Sequence, residues 1–288
     1  MSRLVAEQFP QWAHLPASRV ELDGWDNATF RLGAELSVRL PNADGYVPQV
    51  EKEHRWLPVL APRLPLPIPT PVARGAPSIA FPRPWSVYRW LEGAPATADR
   101  ISDHERLATD LADFLSALYR VDPADGPPAG PHSFFRGGPL ATYDRQTRET
   151  IEALAGTIDG VAPTEAWEDA LAAEWSGPPV WLHGDVTASN LLTVDGRLHA
   201  VIDFGCAAVG DPACDVVMAW TFFKGASRRA FRDRLRIDEG TWRRGRGWAL
   251  WKALITLAKG PEEQEPARRR FGWRIPAREV VDEVLRDR

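Results

Sequence analysis

Cysteine is nearly absent from this 288-residue chain: Cys206 and Cys214 are its only two. Neither has a histidine or further cysteine at metal-ligand spacing, and two thiols cannot build a disulfide framework. Two buried free thiols in a reducing compartment are expected instead. No apolar run reaches about 18 residues, so no segment reads as a membrane-crossing helix. The opening stretch MSRLVAEQFPQWAHLP is broken by acidic and polar residues and lacks the apolar centre of a secretory signal, so the expected location is cytoplasmic. The net charge of −4 is small and of the wrong sign for general attraction to nucleic acid or anionic membrane. Internal repeats and low-complexity tails are also missing.

What is present is ordinary for a folded chain: 44% hydrophobic and 26% charged residues. The length suits one large domain or two modest ones. Thirteen tryptophans are many. Most should be core, with a few free to wall a pocket. Residues 3–14 read as a short helix with Ser2 as N-cap. RVELDG, NATFRLG and LSVRLP then alternate polar and apolar residues between turn signals and predict an antiparallel meander. A helix follows over 46–60, with Pro58 distorting its end. LPLPIPTP predicts a stiff extended connector, and PVARG and WSVYRWLEG two more strands. Beyond Gly93 the pattern turns helical. A capping box at Ser102–Glu105 opens a helix to about Val121, and helices are expected near 139–155, 164–175, 212–223, 227–235, 238–259 and 276–287.

The segment 180–215, VWLHGDVTASNLLTVDGRLHAVIDFGCAAVGDPACDV, interrupts the helices. An Asp-Gly turn between apolar runs is a strong hairpin signal. It can fold the Asp185–Asn190 loop back toward Asp203, which follows the strand HAVI. One candidate base and two oxygen ligands for a hard cation such as Mg²⁺ result. Taken singly each piece is weak: HGDVTASN also reads as a loop of Asx-type turns, and any strand can end in Asp. The combination H-G-D-x4-N, hairpin, I-D-F-G, then G-D-P-x3-D is far more specific.

That combination resembles the aminoglycoside phosphotransferase family, whose fold is similar to that of protein kinases, and the likeness extends over nearly the whole chain. It implies an α+β, protein-kinase-like bilobal fold. A small five-stranded antiparallel N-terminal lobe with one helix would occupy residues 1–91, with a hinge at about 88–93. A larger, mainly helical lobe with the catalytic and substrate sites would occupy 92–288. The family's loop commonly has a proline before its Asn; here Val186-Thr187-Ala188-Ser189 fills the gap, with the Asp-to-Asn spacing kept. By the resemblance, Asp185 is the catalytic base, and Asn190 and Asp203 hold Mg²⁺ bridging the phosphates of ATP or GTP. His183 and Asp215 support the loop, with Asp211 structural at a helix start. Arg39, in place of the commoner lysine, binds phosphate and pairs with Glu53. As residues alone, Arg39 reads equally as a surface strand cation. Trp25 and Asn27 lie in the loop over the triphosphate, and Arg89 and Leu91 contact the base through backbone atoms at the hinge.

The activity implied is transfer of a γ-phosphoryl group to a hydroxyl of an antibiotic of aminoglycoside, macrolide or nucleoside type, conferring resistance or self-resistance. Rival readings are a metabolic kinase for choline, homoserine or a sugar, and a nucleotide-binding pseudokinase. Expected partners are a nucleoside triphosphate and a small hydroxyl acceptor, with no nucleic acid or membrane, and a monomeric or homodimeric state. Acids dominate 144–174, eight against two arginines, and cations dominate 218–260, eleven against three acids. If the second segment lines the pocket, a polycation is a poor acceptor.

Overall fold

The computed structural model describes residues 1–20 and 26–287. Two compact units divide it: Met1–Glu92 together with Ala200–Gly205, and Gly93–His199 together with Cys206–Arg288. The fold class is the expected α+β one, a sheet with one packed helix in the smaller unit and mostly helices in the larger.

The first unit begins with α1 (Ser2–Gln8). Met1 is its N-cap residue and Ser2 is already helical, one step later than expected of a Ser cap. Next come β1 (Ala17–Arg19), β2 (Asn27–Leu32) and β3 (Leu36–Pro41). The expected first strand over RVELDG is thus displaced toward the N-terminus, and its residues 21–24 lie outside the described ones. α2 (Val47–Leu60) follows, then β4 (Pro71–Gly75) and β5 (Trp85–Arg89). The sheet order is β1-β2-β3-β5-β4, with antiparallel pairing throughout. Alternation puts Leu32, Leu36, Val38, Trp85 and Val87 on one face, where they pack with Leu4 and Val5. α2 buries Val50, Glu53, Leu57 and Leu60. Pro58 removes one helical donor but does not stop the helix, which tightens into a 3-10 turn at Ala61–Arg63. The returning segment is tied in by the Val201 amide, which donates to the Pro67 carbonyl at 3.1 Å.

The second unit starts with β6 (Ala94–Pro95) and α3 (His104–Tyr119). Asp103 caps α3 by accepting from the Arg106 amide at 2.8 Å, one residue beyond the predicted Ser102 box. α4 (Asp144–Ala153) and α5 (Val161–Ala172) lead to β7 (Val180–Leu182), β8 (Leu191–Val194) and β9 (Arg197–Val201), whose Ala200 and Val201 belong to the first unit. Asp195 (φ 50°) and Gly196 (φ 74°) are both left-handed, as a two-residue hairpin turn demands. β8 pairs with β6, and β7 pairs with β10 (Ala208–Gly210). The helices α6 (Met218–Thr221), α7 (Ala226–Leu235), α8 (Glu239–Leu257), α9 (Pro261–Arg270) and α10 (Ala277–Arg286) complete it.

α8 is buried on every side, Arg244, Arg246 and Lys252 included. A helix enclosed in this way must carry its charges as pairs. Arg244 pairs with Asp211 at 2.7 Å, both side chains under a tenth exposed. Arg243 and Arg246 share Asp169. α9 was not expected, because PEEQEPARRR has no apolar stripe and only Ala267 is buried. Pro261 in its first turn, Glu262 and Glu263 beside it, and Arg268–Arg270 in its last turn suit the helix ends. No helix among the described residues is long and apolar enough to cross a membrane.

Candidate active site

In the second unit the chain leaves β7 at Leu182 and turns at His183-Gly184-Asp185. Gly184 has φ +84°, and a Cβ there would stand 2.5 Å from the Cys206 carbonyl oxygen, so only glycine fits. The His183 and Gly184 amides donate to the two Asp215 oxygens at 2.9 and 2.7 Å. Asp215 is wholly buried in the 3-10 turn Pro212–Val216. Burial pushes its carboxyl up to about 6, against the opposing pull of His183 and of these amides. The turn is capped by Asp211, which accepts from the Ala213 amide at 3.1 Å.

Asp185 follows, with its amide donating to His183 Nδ1 at 3.2 Å. Asn190 Nδ2 donates to the Asp185 carbonyl at 3.0 Å and reaches Asp185 Oδ2 at 3.4 Å. The other carboxylate oxygen is 2.9 Å from Lys252 Nζ on α8. Burial raises the Asp185 carboxyl, but Lys252 first, then Arg136 and His183, outweigh it and hold it below the usual carboxylate range. Asp185 therefore stands ionised at neutral pH, 31% exposed. It lines a shallow cleft together with Arg136, Val186, Cys214, Val217, Trp248 and Trp251.

A separate cluster lies in the first unit. Arg39 on β3 reaches Glu53 Oε1 of α2 at 3.3 Å and Asp203 Oδ1 at 2.8 Å. The Tyr88 hydroxyl donates to the second Glu53 oxygen. Burial opposes the charge of Arg39, but Asp203, Glu53 and Tyr88 outweigh it and fix the guanidinium as a cation. Lys52, next to Glu53, donates to the Gly205 carbonyl at 2.7 Å. Asp203 itself has φ +67°, a left-handed conformation costly for an aspartate and common where a site imposes it.

Arg39, Glu53 and Asp203 are thus together in one unit, and His183, Asp185, Asn190 and Asp215 in the other. Asn27 is buried in β2 opposite Pro41. Arg89 ends β5, with its side chain exposed and 3.5 Å from Glu35. Leu91 is half-buried just beyond β5, and Trp25 lies outside the described residues. Among the described residues no three His, Cys, Asp or Glu side chains cluster as a metal site. The Asn190 side-chain oxygen and Asp203 Oδ2 carry no hydrogen bond from the described residues. Each is a hard oxygen donor of the kind Mg²⁺ takes alongside water and phosphate.

Four contributors were not foreseen: Lys52, Tyr88, Arg136 and Lys252. Lys252 had a signal, because a lysine inside WALWKALITLA is a cation in an apolar helix and needs a partner. Arg136 had none, being one arginine in a loop.

Residues 19–248 match the family described as Phosphotransferase enzyme family (APH). No curated protein matches the chain by sequence. Among solved structures, the chain is similar to the GDP and kanamycin complex of APH(2")-IIia, with TM-score 0.76 and 19% identity over 100% of this chain and 99% of the other. The streptomycin-ATP-APH(2")-IIa ternary complex gives TM-score 0.62 and 20% identity over 91% of both chains. Macrolide 2'-phosphotransferase MphH from Brachybacterium faecium gives 0.59 and 22% over 89% of this chain and 91% of the other. At such identities the likeness establishes the fold.

Proposed function

Because the chain belongs to the phosphotransferase enzyme family, we propose that it is a small-molecule O-phosphotransferase. It moves the γ-phosphoryl group of ATP or GTP to a hydroxyl of an antibiotic of aminoglycoside, macrolide or nucleoside type. The observation that carries this reading is Asp185: an ionised carboxylate on a loop pinned by Asp215, held between Lys252 and Asn190, and lining a cleft. The similar structures, solved with kanamycin, streptomycin, GDP and ATP, support the choice of donor and acceptor classes.

In this reading the acceptor hydroxyl attacks the γ-phosphorus and the bond to the β-γ bridging oxygen breaks. Asp185 orients the hydroxyl and takes its proton. Arg39, steadied by Glu53, binds nucleotide phosphate through its planar fork. Asn190 and Asp203 would supply oxygen ligands to Mg²⁺, which would neutralise charge on the phosphates. The peptide groups of Arg89 and Leu91 read the base.

The test incubates the purified chain with Mg²⁺, ATP or GTP, and a panel of aminoglycosides, macrolides, nucleoside antibiotics, choline, homoserine and sugars, read by mass. A gain of one phosphoryl group on an antibiotic, at the highest kcat/KM of the panel, is expected. A metabolite modified far better than any antibiotic would move the protein to metabolism, and no transfer to any hydroxyl would overturn the activity.

A further inference from the structure

Gly272, just past the end of α9, stands against the loop that carries Asp185 with no room to spare. A Cβ built on it would lie 2.7 Å from the Ser189 amide nitrogen, 2.9 Å from the Ala188 Cβ and 3.0 Å from the Ala188 carbonyl carbon. Two of these three atoms are backbone, which cannot swing aside as the end of a long side chain can. Its φ of +61° has a separate cause. The Gly272 amide donates to the Arg269 carbonyl and the Trp273 amide to the Arg268 carbonyl, each at 3.0 Å. That pair of bonds is the Schellman ending of a helix, which needs a left-handed residue at this place and accepts asparagine as well as glycine. The helix ending explains the conformation but not the close approach.

The residue before it reaches the other end of the same loop. The Phe271 ring lies 4.5 Å beneath the Lys252 ammonium, which engages Asp185. The turn itself is firmly held. Trp273 is buried, and the Arg274 amide donates to the Thr221 carbonyl at 3.0 Å. Gln264, earlier in α9, donates to the Leu257 and Lys259 carbonyls at 3.0 and 2.8 Å. The facing stretch Val186–Ser189 has no proline to stiffen it. Its own ties are the Asn190 amide to the Thr187 carbonyl at 3.0 Å, the Ala96 amide to the Ala188 carbonyl at 3.1 Å, and a Thr187–Ser189 hydroxyl pair at 2.9 Å.

We infer that the Phe271-Gly272 turn is a positioning element for phosphoryl transfer: Gly272 bears on Ala188-Ser189 and sets the loop between Asp185 and Asn190, while Phe271 seats the lysine that holds Asp185. The inference rests on the phosphotransferase reading and adds to it a segment some 80 residues further along the chain. It also gives α9 a task. A helix that buries only Ala267 contributes little to the core, but its C-terminal end presents this turn.

The test uses the full chain and three variants. Gly272→Asn keeps the helix ending and adds a side chain toward the loop. Gly156→Asn is the control, because Gly156 is also left-handed (φ +87°) but has open space around it. Phe271→Leu keeps the apolar bulk and loses the ring face. With the best acceptor of the panel, kcat of Gly272→Asn should fall roughly 10- to 100-fold, with the acceptor KM and the melting temperature near the parent's. Phe271→Leu should lose about fivefold, and Gly156→Asn should match the parent. Hydrogen exchange of the amides over 185–190, read by mass, needs no turnover; it should quicken about tenfold in Gly272→Asn and stay unchanged in Gly156→Asn. Unaltered kcat and exchange in Gly272→Asn would overturn the inference. So would an equal loss in Gly156→Asn, or exchange quickened evenly along the whole chain, either of which would make Gly272 a residue of general stability. If the exchange changes as expected but the parent phosphorylates no hydroxyl compound, the transferase reading fails and the support of the loop stands.

Discussion

Lys252 Nζ lies 2.9 Å from Asp185 Oδ1, joining a buried helix to a loop 67 residues earlier in the chain. The lysine also stands 4.5 Å over the Phe271 ring. It keeps a half-buried carboxyl ionised where burial alone would favour its neutral form. Replacing Lys252 by Met should raise the Asp185 carboxyl. The acid limb of the kcat/KM profile should then move to higher pH, and transfer at pH 7 should fall roughly 10- to 100-fold. Nucleotide affinity should change little. A pH–rate series for both chains reads this, and an unmoved acid limb would show that Lys252 does not set the Asp185 charge.

Asp215 predicts a stability effect of opposite sign. Its folded carboxyl, raised by burial to about 6 from an ordinary 3.8, binds a proton that the unfolded chain has already lost. The stability this group contributes is full below pH 4 and disappears as pH rises to about 6, a difference of about 3 kcal/mol. Asp215→Asn lacks that titration. Urea unfolding between pH 4 and 6 should show parent stability declining relative to the variant by about this amount. Parallel curves would contradict it.

The Arg244–Asp211 pair is buried on both sides, with further donation from Arg244 to the Ala173 carbonyl at 3.1 Å. Asp211→Ala strands a buried guanidinium and should cost about 3–5 kcal/mol in urea unfolding. Removing both charges with Asp211→Ala and Arg244→Met should recover much of that loss. Equal losses in the single and double variants would show that the pair does not act as a unit.

In the first unit Arg39 holds Glu53 and Asp203 together. Arg39→Met should weaken Mg²⁺-ADP binding by about ten- to a hundredfold, the worth of one or two charge-assisted hydrogen bonds. Asp203→Ala should weaken it through the metal, so its effect should vanish when Mg²⁺ is left out. Calorimetric titrations with and without Mg²⁺ separate the two. Equal loss for Asp203→Ala under both conditions would argue against a metal role.

Much of this was written locally in the chain. Strands β2 and β3 followed from period-two alternation, and the β8–β9 hairpin from Asp195-Gly196, because each depends on neighbours a few residues away. Glu53 was recognisable as the acid before Trp56-Leu57 on the helix after Arg39's strand. Lys252, Tyr88 and Arg136 were not, because their importance comes from which distant residue folding sets beside them. α9 was hidden because its ends, not an apolar face, make it a helix. The eleven cations of 218–260 looked like a basic wall, yet Asp169 takes two of them, Asp211 one, Glu283 one and Asp113 one. Pairing, invisible in a charge sum, leaves Arg136 from another segment as the cation without a carboxylate partner among those lining the cleft.

The central claim is that Asp185 serves phosphoryl transfer to a hydroxyl. It is tested most directly by following ³¹P resonances of ATP or GTP with Mg²⁺ and the best acceptor from the panel, in the parent chain and in Asp185→Ala. The parent should give a new phosphomonoester signal, reduced by at least about a hundredfold in the variant while nucleotide binding persists. Unchanged phosphoryl transfer by Asp185→Ala would contradict it.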